Sequence, residues 1–204
     1  MNTLKLETHG HIARLIMNRP QKLNAFSVEM WDEMRALGAE LVANPGDIRV
    51  LILSGEGRAF SSGIDTTVFS EGIGLTAPPK DESKHEDPTI DSILRTQDAY
   101  NWLEEAPFAT IAAVRGYALG AGLQAALACD IRVFTHGASI GLLELKYGII
   151  PDLGGTQRLT RLVGPGKAKE MIFTGKRISA QEAMAMGIVS KVVPVAQVEE
   201  TAFK

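Results

Sequence analysis

Two glycine-rich loops, residues 55–65 and 116–124, constrain the fold of this chain more than any other feature. The apolar runs 49–53 and 110–114 before them are typical of buried strands, and the second loop leads into an alanine-rich helix. Glycine lets a ligand approach the backbone, and the first N–H groups of a helix are free to bind it. Converging loops could place two N–H donors on one carbonyl oxygen and stabilise an enolate, although tight turns alone would also explain the glycines.

Charge and composition exclude several classes of protein. The chain has 21 basic and 24 acidic residues, so it lacks the basic surface that a nucleic-acid partner requires. No apolar run reaches the roughly 18 to 20 residues of a membrane span, and the N-terminus lacks the apolar core of a signal peptide. One cysteine and four scattered histidines predict neither a disulfide nor a metal site. We therefore expect a cytoplasmic α/β enzyme or binding protein without nucleic-acid or membrane partners.

Strand and helix patterns alternate along the whole chain without a linker, which predicts one domain. A hairpin is predicted at 4–7 and 12–17, and Ser27 is expected to cap a helix that runs to Ala43. Residues 71–91 have two adjacent prolines and mixed charge, so they are expected to form an exposed, mobile insertion before a helix that ends near Glu105. Further strands are predicted at 131–135 and 188–193, and further helices at 120–129, 155–162, 167–173 and 179–186.

Seven short segments together identify a family resemblance that covers nearly all of the 204 residues. They are NRP (18–20), KLNAF (22–26), GRAFSSGID (57–65), AVRGYALGAGLQ (113–124), ACDIR (128–132), GGTQRL (154–159) and TGKRISAQ (174–181). In these segments the chain resembles the crotonase family, the enoyl-CoA hydratases and isomerases. The resemblance implies an α/β fold that is a crotonase-like spiral of ββα units. It also implies an acyl-CoA thioester substrate and no separate cofactor, because coenzyme A is part of that substrate.

The resemblance places binding residues on both glycine loops. It implies that the backbone N–H groups of Ile64 and Ala121 form the oxyanion hole, with Ala121 in place of a glycine that is usual in the family. It also implies a set of residues that contact coenzyme A or the acyl chain: Lys22, Leu23, Ala25, Ser62, Asp65, Thr66 and Gln124. An exposed lysine without a ligand is an equally simple interpretation of Lys22.

The acid–base residues decide which reaction is expected. Hydratases of the family hold water between two glutamates, but here the first position is Gln124, and an amide is no general base near neutral pH. The second glutamate corresponds to Glu144, 20 residues later as in the family. One carboxylate suits a double-bond isomerase, which removes a proton from one carbon and returns it to another. We therefore expect an enoyl-CoA or dienoyl-CoA isomerase rather than an enoyl-CoA hydratase.

Asp152 is a second candidate acid, and it leaves other functions open. Dienoyl-CoA isomerases and 3-hydroxyacyl-CoA thioester hydrolases of the family have an aspartate eight residues after the glutamate, as here. Asp152 is thus expected either to face Glu144 as a second proton carrier or to cap the helix that begins at Gly154–Gly155. An enoyl-CoA hydratase, a 3-hydroxyacyl-CoA thioester hydrolase and a non-catalytic acyl-CoA binding protein remain alternatives.

The chain ends at a position where members of the family continue. We expect a core domain at residues 1–197 and, at 198–204, only the start of a C-terminal helix, so that the usual C-terminal helical segment is largely absent. In the family this segment covers the active site and builds trimers, often paired into hexamers. A homotrimer or hexamer is therefore expected if those helices are present.

Overall fold

The computed structural model describes residues 1–70, 85 and 87–203. The strands are β1 (Leu4–His9), β2 (Ile12–Met17), β3 (Val50–Gly55), β4 (Ala109–Val114), β5 (Tyr117–Leu119), β6 (Ile131–Thr135), β7 (Ser139–Gly141), β8 (Ile178–Ser179) and β9 (Lys191–Val193). The helices are α1 (Val28–Ala43), α2 (Thr67–Ser70), α3 (Pro88–Glu105), α4 (Ala121–Ala128), α5 (Gly155–Thr174), α6 (Ala180–Ala185) and α7 (Val198–Phe203).

Two sheets share these strands. The larger has the order β1-β2-β3-β4-β6-β9, with an antiparallel β1–β2 hairpin and parallel pairs from β2 onwards. The smaller has the order β5-β7-β8. The order β4-β5-α4 recurs as β6-β7-α5. In both units the first strand belongs to the larger sheet, the second strand belongs to the smaller sheet, and a helix follows. The structure thus confirms the predicted α/β class with its repeated ββα units.

Helices α1 and α3 cover the large sheet through buried aromatic side chains. Ser27 caps α1 as predicted, because its Oγ accepts a hydrogen bond from Met30 N at 3.3 Å. Trp31 Nε1 donates to the buried Tyr100 hydroxyl at 2.9 Å, which joins α1 to α3. Glycine at position 38 allows the close contact of these helices, since a Cβ there would lie 2.3 Å from the Trp102 ring.

Three short strands, the short helix α2 and the start of helix α3 were not predicted. Strands β5, β7 and β8 have only two or three residues each, too few for a periodic pattern. Helix α3 begins at Pro88, where Asp87 accepts a hydrogen bond from Thr89 N at 2.8 Å, so the insertion predicted at 71–91 does not extend beyond residue 87. Most of that predicted insertion lies outside the described residues. None of the helices in the described ranges is long and apolar enough to span a membrane.

The topology brings the two glycine loops together. Strands β3 and β4 are parallel neighbours, so the chain leaves both of them at the same edge of the sheet. Ser61 links the loops further, because its N–H donates to Tyr117 O at 2.8 Å and its carbonyl accepts from Leu119 N at 3.1 Å. The floor of the candidate site is therefore fixed by backbone pairing.

Candidate active site

A cavity of about 360 Å³ opens where the two glycine loops meet. Its remaining walls come from the 3₁₀ turn Glu144–Tyr147 and from the loop before α5. Eight of the residues predicted from the sequence line it: Leu23, Ser62, Ile64, Thr66, Ala121, Gln124, Glu144 and Asp152. The structure therefore brings both candidate acids and both candidate N–H donors to one cavity.

Three other predicted residues, Lys22, Ala25 and Asp65, do not line the cavity. Lys22 is exposed, Ala25 is buried, and the Asp65 carboxylate forms an ion pair with Arg19 at 2.9 Å and accepts hydrogen bonds from Thr67. Burial alone would raise the pKa of Asp65, but the bonds from Arg19 and Thr67 outweigh it and lower that pKa. Asp65 thus stabilises the first glycine loop, and its carboxylate is already occupied.

Glycines allow the close approach of the two loops. Gly63 and Gly120 both have positive φ angles, of 111° and 50°. A Cβ on Gly63 would lie 3.0 Å from Leu119 O, and one on Gly120 would lie 3.9 Å from Gly63 Cα. A side chain at position 63 would force Leu119 to shift, whereas position 120 has room for a Cβ but a backbone conformation that favours glycine. Gly63 therefore does more than form a turn.

Two unpaired N–H groups lie beside this contact. The backbone on either side of Ile64 pairs with Phe26, which leaves the N–H of Ile64 pointing away from that partner. Ala121 is the first residue of α4, where helix N–H groups have no partner within the helix. In the described part of the chain, neither N–H donates a hydrogen bond. Both are therefore available to a ligand oxygen, in the arrangement expected of an oxyanion hole.

Glu144 is a buried carboxyl group next to these donors. Its side chain is 6% exposed, and a Cβ on Gly120 would lie 3.4 Å from its Oε1. Oε1 accepts a hydrogen bond from Gln124 Nε2 at 2.7 Å, whereas Oε2 has no hydrogen-bond partner. Burial raises the pKa of Glu144 to about 6, and the negative charge of Asp152 adds to the rise. A carboxyl group that titrates there can both accept and return a proton near neutral pH.

Asp152 belongs to the cavity wall rather than to the end of α5. The N-cap position of that helix is Gly154, and no side chain caps it, so the capping interpretation of Asp152 is wrong. Gln97 Nε2 donates to the Asp152 backbone oxygen at 2.5 Å and holds the loop. Burial raises the pKa of the Asp152 carboxyl, as expected for a second acid in a partly desolvated site.

The cavity has a cationic rim that the sequence did not predict. Arg58 and Arg177 both line the cavity and are exposed, and neither forms an ion pair with a described carboxylate. The Arg177 guanidinium lies 5.9 Å from the centre of the Tyr117 ring. The two arginines reach the cavity only because loops that are distant in sequence come together in the fold, and no local sequence pattern shows this. The described residues contain no cluster of three potential metal ligands among His, Cys, Asp and Glu.

The buried Glu144 should destabilise the fold at high pH. Because its pKa rises from 4.5 to about 6 on folding, the stabilising contribution of its protonated form is complete below 4.5 and is lost as pH rises through 6. A glutamine at this position has no charge to bury. We therefore expect Glu144→Gln to stabilise the fold more at about pH 8 than at about pH 4, with a difference of about 2 kcal/mol in the free energy of unfolding. Urea unfolding at both pH values measures this difference. An equal effect at both would show that Glu144 titrates normally.

Comparisons with known proteins agree with this geometry. A family model described as enoyl-CoA hydratase/isomerase matches residues 7–204. The Bacillus subtilis protein YngF is 43% identical over 183 residues, covering 89% of this chain and 65% of YngF. The short-chain-enoyl-CoA hydratase of Clostridium acetobutylicum is 37% identical and covers 99% of this chain and 73% of the relative. The peroxisomal Δ3,5-Δ2,4-dienoyl-CoA isomerase of Arabidopsis thaliana is 34% identical, with coverages of 94% and 69%. The chain thus spans about two thirds of these relatives.

A solved structure from Thermobifida fusca in complex with CoA has the same fold. It superposes with a TM-score of 0.86 at 36% identity and covers 99% of this chain and 76% of its own. The residues that the family model matches include both glycine loops, the 3₁₀ turn and α5. The family predicted from the seven sequence segments is confirmed. The chain belongs to the enoyl-CoA hydratase/isomerase family, also called the crotonase family.

Proposed function

We propose that this chain isomerises enoyl-CoA or dienoyl-CoA thioesters through an enolate held by two backbone N–H groups. One observation supports this choice within the family. A buried carboxyl group, Glu144, lies beside the two free donors, and an amide, Gln124, occupies the place of the first hydratase glutamate. An amide cannot activate water, but it does not interfere with the transfer of a proton by one neighbouring carboxylate.

The proposed reaction of a 3-enoyl-CoA needs one proton carrier. The thioester oxygen accepts hydrogen bonds from the N–H groups of Ile64 and Ala121. The Glu144 carboxylate removes a proton from C2, and the electron pair of that C–H bond moves into an enolate whose oxygen the two N–H groups stabilise. Protonated Glu144 then returns the proton to C4, so that the double bond moves from C3–C4 to C2–C3. No water, metal ion or oxidant is consumed.

A dienoyl-CoA substrate would give Asp152 a role. Moving two conjugated double bonds by one position takes a proton from C2 and returns it to C6, which is farther than one carboxyl group reaches. Asp152 lines the same cavity, its pKa is also raised by burial, and its charge acts on Glu144. We propose that it delivers the proton at the distant carbon.

The rim residues suit the coenzyme A part of the substrate. Arg58 and Arg177 supply positive charge at the cavity entrance, where the phosphates of a thioester would lie if its carbonyl were in the oxyanion hole. Leu23 lines the cavity as well, and the adjacent exposed Lys22 stays a proposed phosphate contact. The T. fusca neighbour was solved with CoA bound, which supports this class of ligand. The homotrimer or hexamer, the cytoplasmic location and the absence of a separate cofactor remain predictions.

A panel of CoA thioesters tests the proposed reaction. The native chain should convert a 3-enoyl-CoA or a 3,5-dienoyl-CoA into the conjugated product at least about 100-fold faster than it hydrates a 2-enoyl-CoA, because only the first two reactions need no second carboxylate at position 124. Ultraviolet absorbance follows the conjugated thioester, and chromatography identifies the products.

Other outcomes of the same panel separate the alternatives. Efficient hydration of the 2-enoyl-CoA would favour a hydratase, as the Clostridium relative is named. Release of free thiol from a 3-hydroxyacyl-CoA would favour a thioester hydrolase, which the Asp152 carboxyl in the cavity wall also permits. Tight acyl-CoA binding without turnover of any substrate would favour a non-catalytic binding protein. Each of these results would overturn the isomerase proposal.

A further inference from the structure

The Gln124 side chain is held in one orientation by three hydrogen bonds. Its Oε1 accepts from the backbone N–H groups of Leu153 at 2.9 Å and Gly155 at 3.0 Å, and its Nε2 donates to Glu144 Oε1 at 2.7 Å. The residue is 1% exposed, so water cannot replace these partners. A flipped amide would direct its NH₂ group at two N–H donors and its oxygen at a carboxylate, losing all three bonds.

Close packing reinforces this orientation. A Cβ on Gly155 would lie 2.7 Å from Gln124 Oε1, so a residue with a side chain there would displace the amide. Both backbone donors belong to the entry of α5, whose first N–H groups have no partner within the helix. The amide oxygen thus binds to the start of α5, and the amide nitrogen is left with one direction, toward Glu144.

This arrangement distinguishes the two oxygens of Glu144. Oε1 is engaged by Gln124, and Oε2 has no hydrogen-bond partner. A glutamate at position 124 could keep the bonds to Leu153 and Gly155 through one oxygen. Its other oxygen would then face Glu144 Oε1 across a 2.7 Å gap, which two carboxylates occupy only by sharing a proton.

We propose that Gln124 is a positioning residue that holds Glu144 by Oε1, keeps Oε2 free for the substrate proton and excludes a carboxylate pair between positions 124 and 144. The catalytic part of this inference rests on the proposed function. Its structural part, a specific bond from the amide to the Glu144 carboxylate, can be tested without turnover. It assigns the substrate to the class that is isomerised without an activated water, since position 124 supplies no carboxylate to hold a water together with Glu144.

The other charged or titratable groups near Glu144 do not replace this bond. Tyr100 of α3 is fully buried, and its hydroxyl is engaged by Trp31 Nε1. Arg158 of α5 binds Glu104 and the Leu153 carbonyl. The charged groups that line the cavity itself are Asp152, Arg58 and Arg177. A change at position 124 leaves all of these in place, so a change in the Glu144 titration can be assigned to the amide.

Carboxyl ¹³C NMR on the full chain, labelled at glutamate Cδ, tests the proposal. The Glu144 resonance is identified by its loss in Glu144→Gln. Gln124→Met removes the hydrogen bond at a similar side-chain volume. We expect it to raise the pKa of Glu144 by about one unit, because a hydrogen bond to a charged acceptor stabilises the carboxylate by about the free energy of one pKa unit. Gln181→Met is the matched control. It removes a glutamine that lies 3.1 Å from His136 Nδ1, and neither residue lines the cavity, so the titration should stay at its native position.

Gln124→Glu is the second variant, and it keeps an acceptor for Leu153 N and Gly155 N should the methionine variant fail to fold. We expect two coupled titration steps, the later one above the native pKa of Glu144. In turnover, both variants should shift the rising limb of the kcat–pH profile upward while KM changes less than about threefold. An unchanged Glu144 titration in either folded variant would overturn the positioning role. A native chain that turns over no enoyl-CoA but shows the expected NMR shifts would contradict the proposed function alone.

Discussion

Glu144→Gln should lower the turnover of a 3-enoyl-CoA by about 10³-fold, because an amide cannot remove the C2 proton. The substitution preserves the size of the side chain, and its oxygen can still accept the bond from Gln124. Binding of a saturated acyl-CoA should change by less than about threefold, since the carboxylate stabilises the transition state rather than the bound thioester. Steady-state kinetics and calorimetric titration measure the two quantities separately.

A matched substitution elsewhere controls for general effects. Glu170 is half-buried on α5 and pairs with Lys167 and Lys176, outside the cavity, so Glu170→Gln should keep native turnover. If Glu144→Gln retained activity comparable to this control, another group would be the base. Asp152 would be the next candidate because it is the other acid in the cavity wall.

Ala121→Pro should lower kcat by about 10²- to 10³-fold, because it removes one of the two proposed oxyanion donors. Ala121 is the first residue of α4, the position at which proline is compatible with a helix. The backbone N–H of that position has no partner in the described structure, so no internal hydrogen bond is lost. Kinetics together with circular dichroism measure the activity and check that the helix is intact.

Ala121→Gly is the matched variant, because it changes the side chain but keeps the N–H. We expect it to lose much less activity than the proline variant, by about tenfold at most, through the added freedom of the loop. Equal losses in both variants would mean that the packing of the Ala121 side chain is what matters. Native activity in a folded Ala121→Pro would exclude this N–H as an oxyanion donor.

The loops could be predicted from the sequence because their information is local. Residues 55–65 and 116–124 follow apolar runs and contain glycines at the points of closest approach. Parallel strands were therefore the only further assumption needed to predict that the two loops converge. The ββα repeat could not be predicted in this way. Strand β5 has three residues and β8 two, and both pair with β7, which itself has three residues, so no strand of this sheet is long enough for a periodic pattern.

Contacts distant in sequence account for what was missed in the site. The bonds from Leu153 and Gly155 to Gln124 join residues about 30 positions apart, so the sequence indicated only that position 124 lacked an acid. Asp65 matched a substrate loop in the family pattern, yet the structure pairs it with Arg19, 46 residues before it. In both cases a side chain's role depends on which backbone or charge the fold places against it.

Transfer of deuterium within the substrate tests the central claim most directly, namely that the buried Glu144 carries one proton from C2 to C4. A 3-enoyl-CoA with both C2 hydrogens replaced by deuterium is isomerised in ordinary water, and the product is examined by NMR and mass spectrometry. Because Glu144 is only 6% exposed, its deuteron should exchange slowly enough for part of the label to appear at C4. A 2-enoyl product whose C4 hydrogen comes entirely from water would contradict transfer by a single shielded carboxyl group.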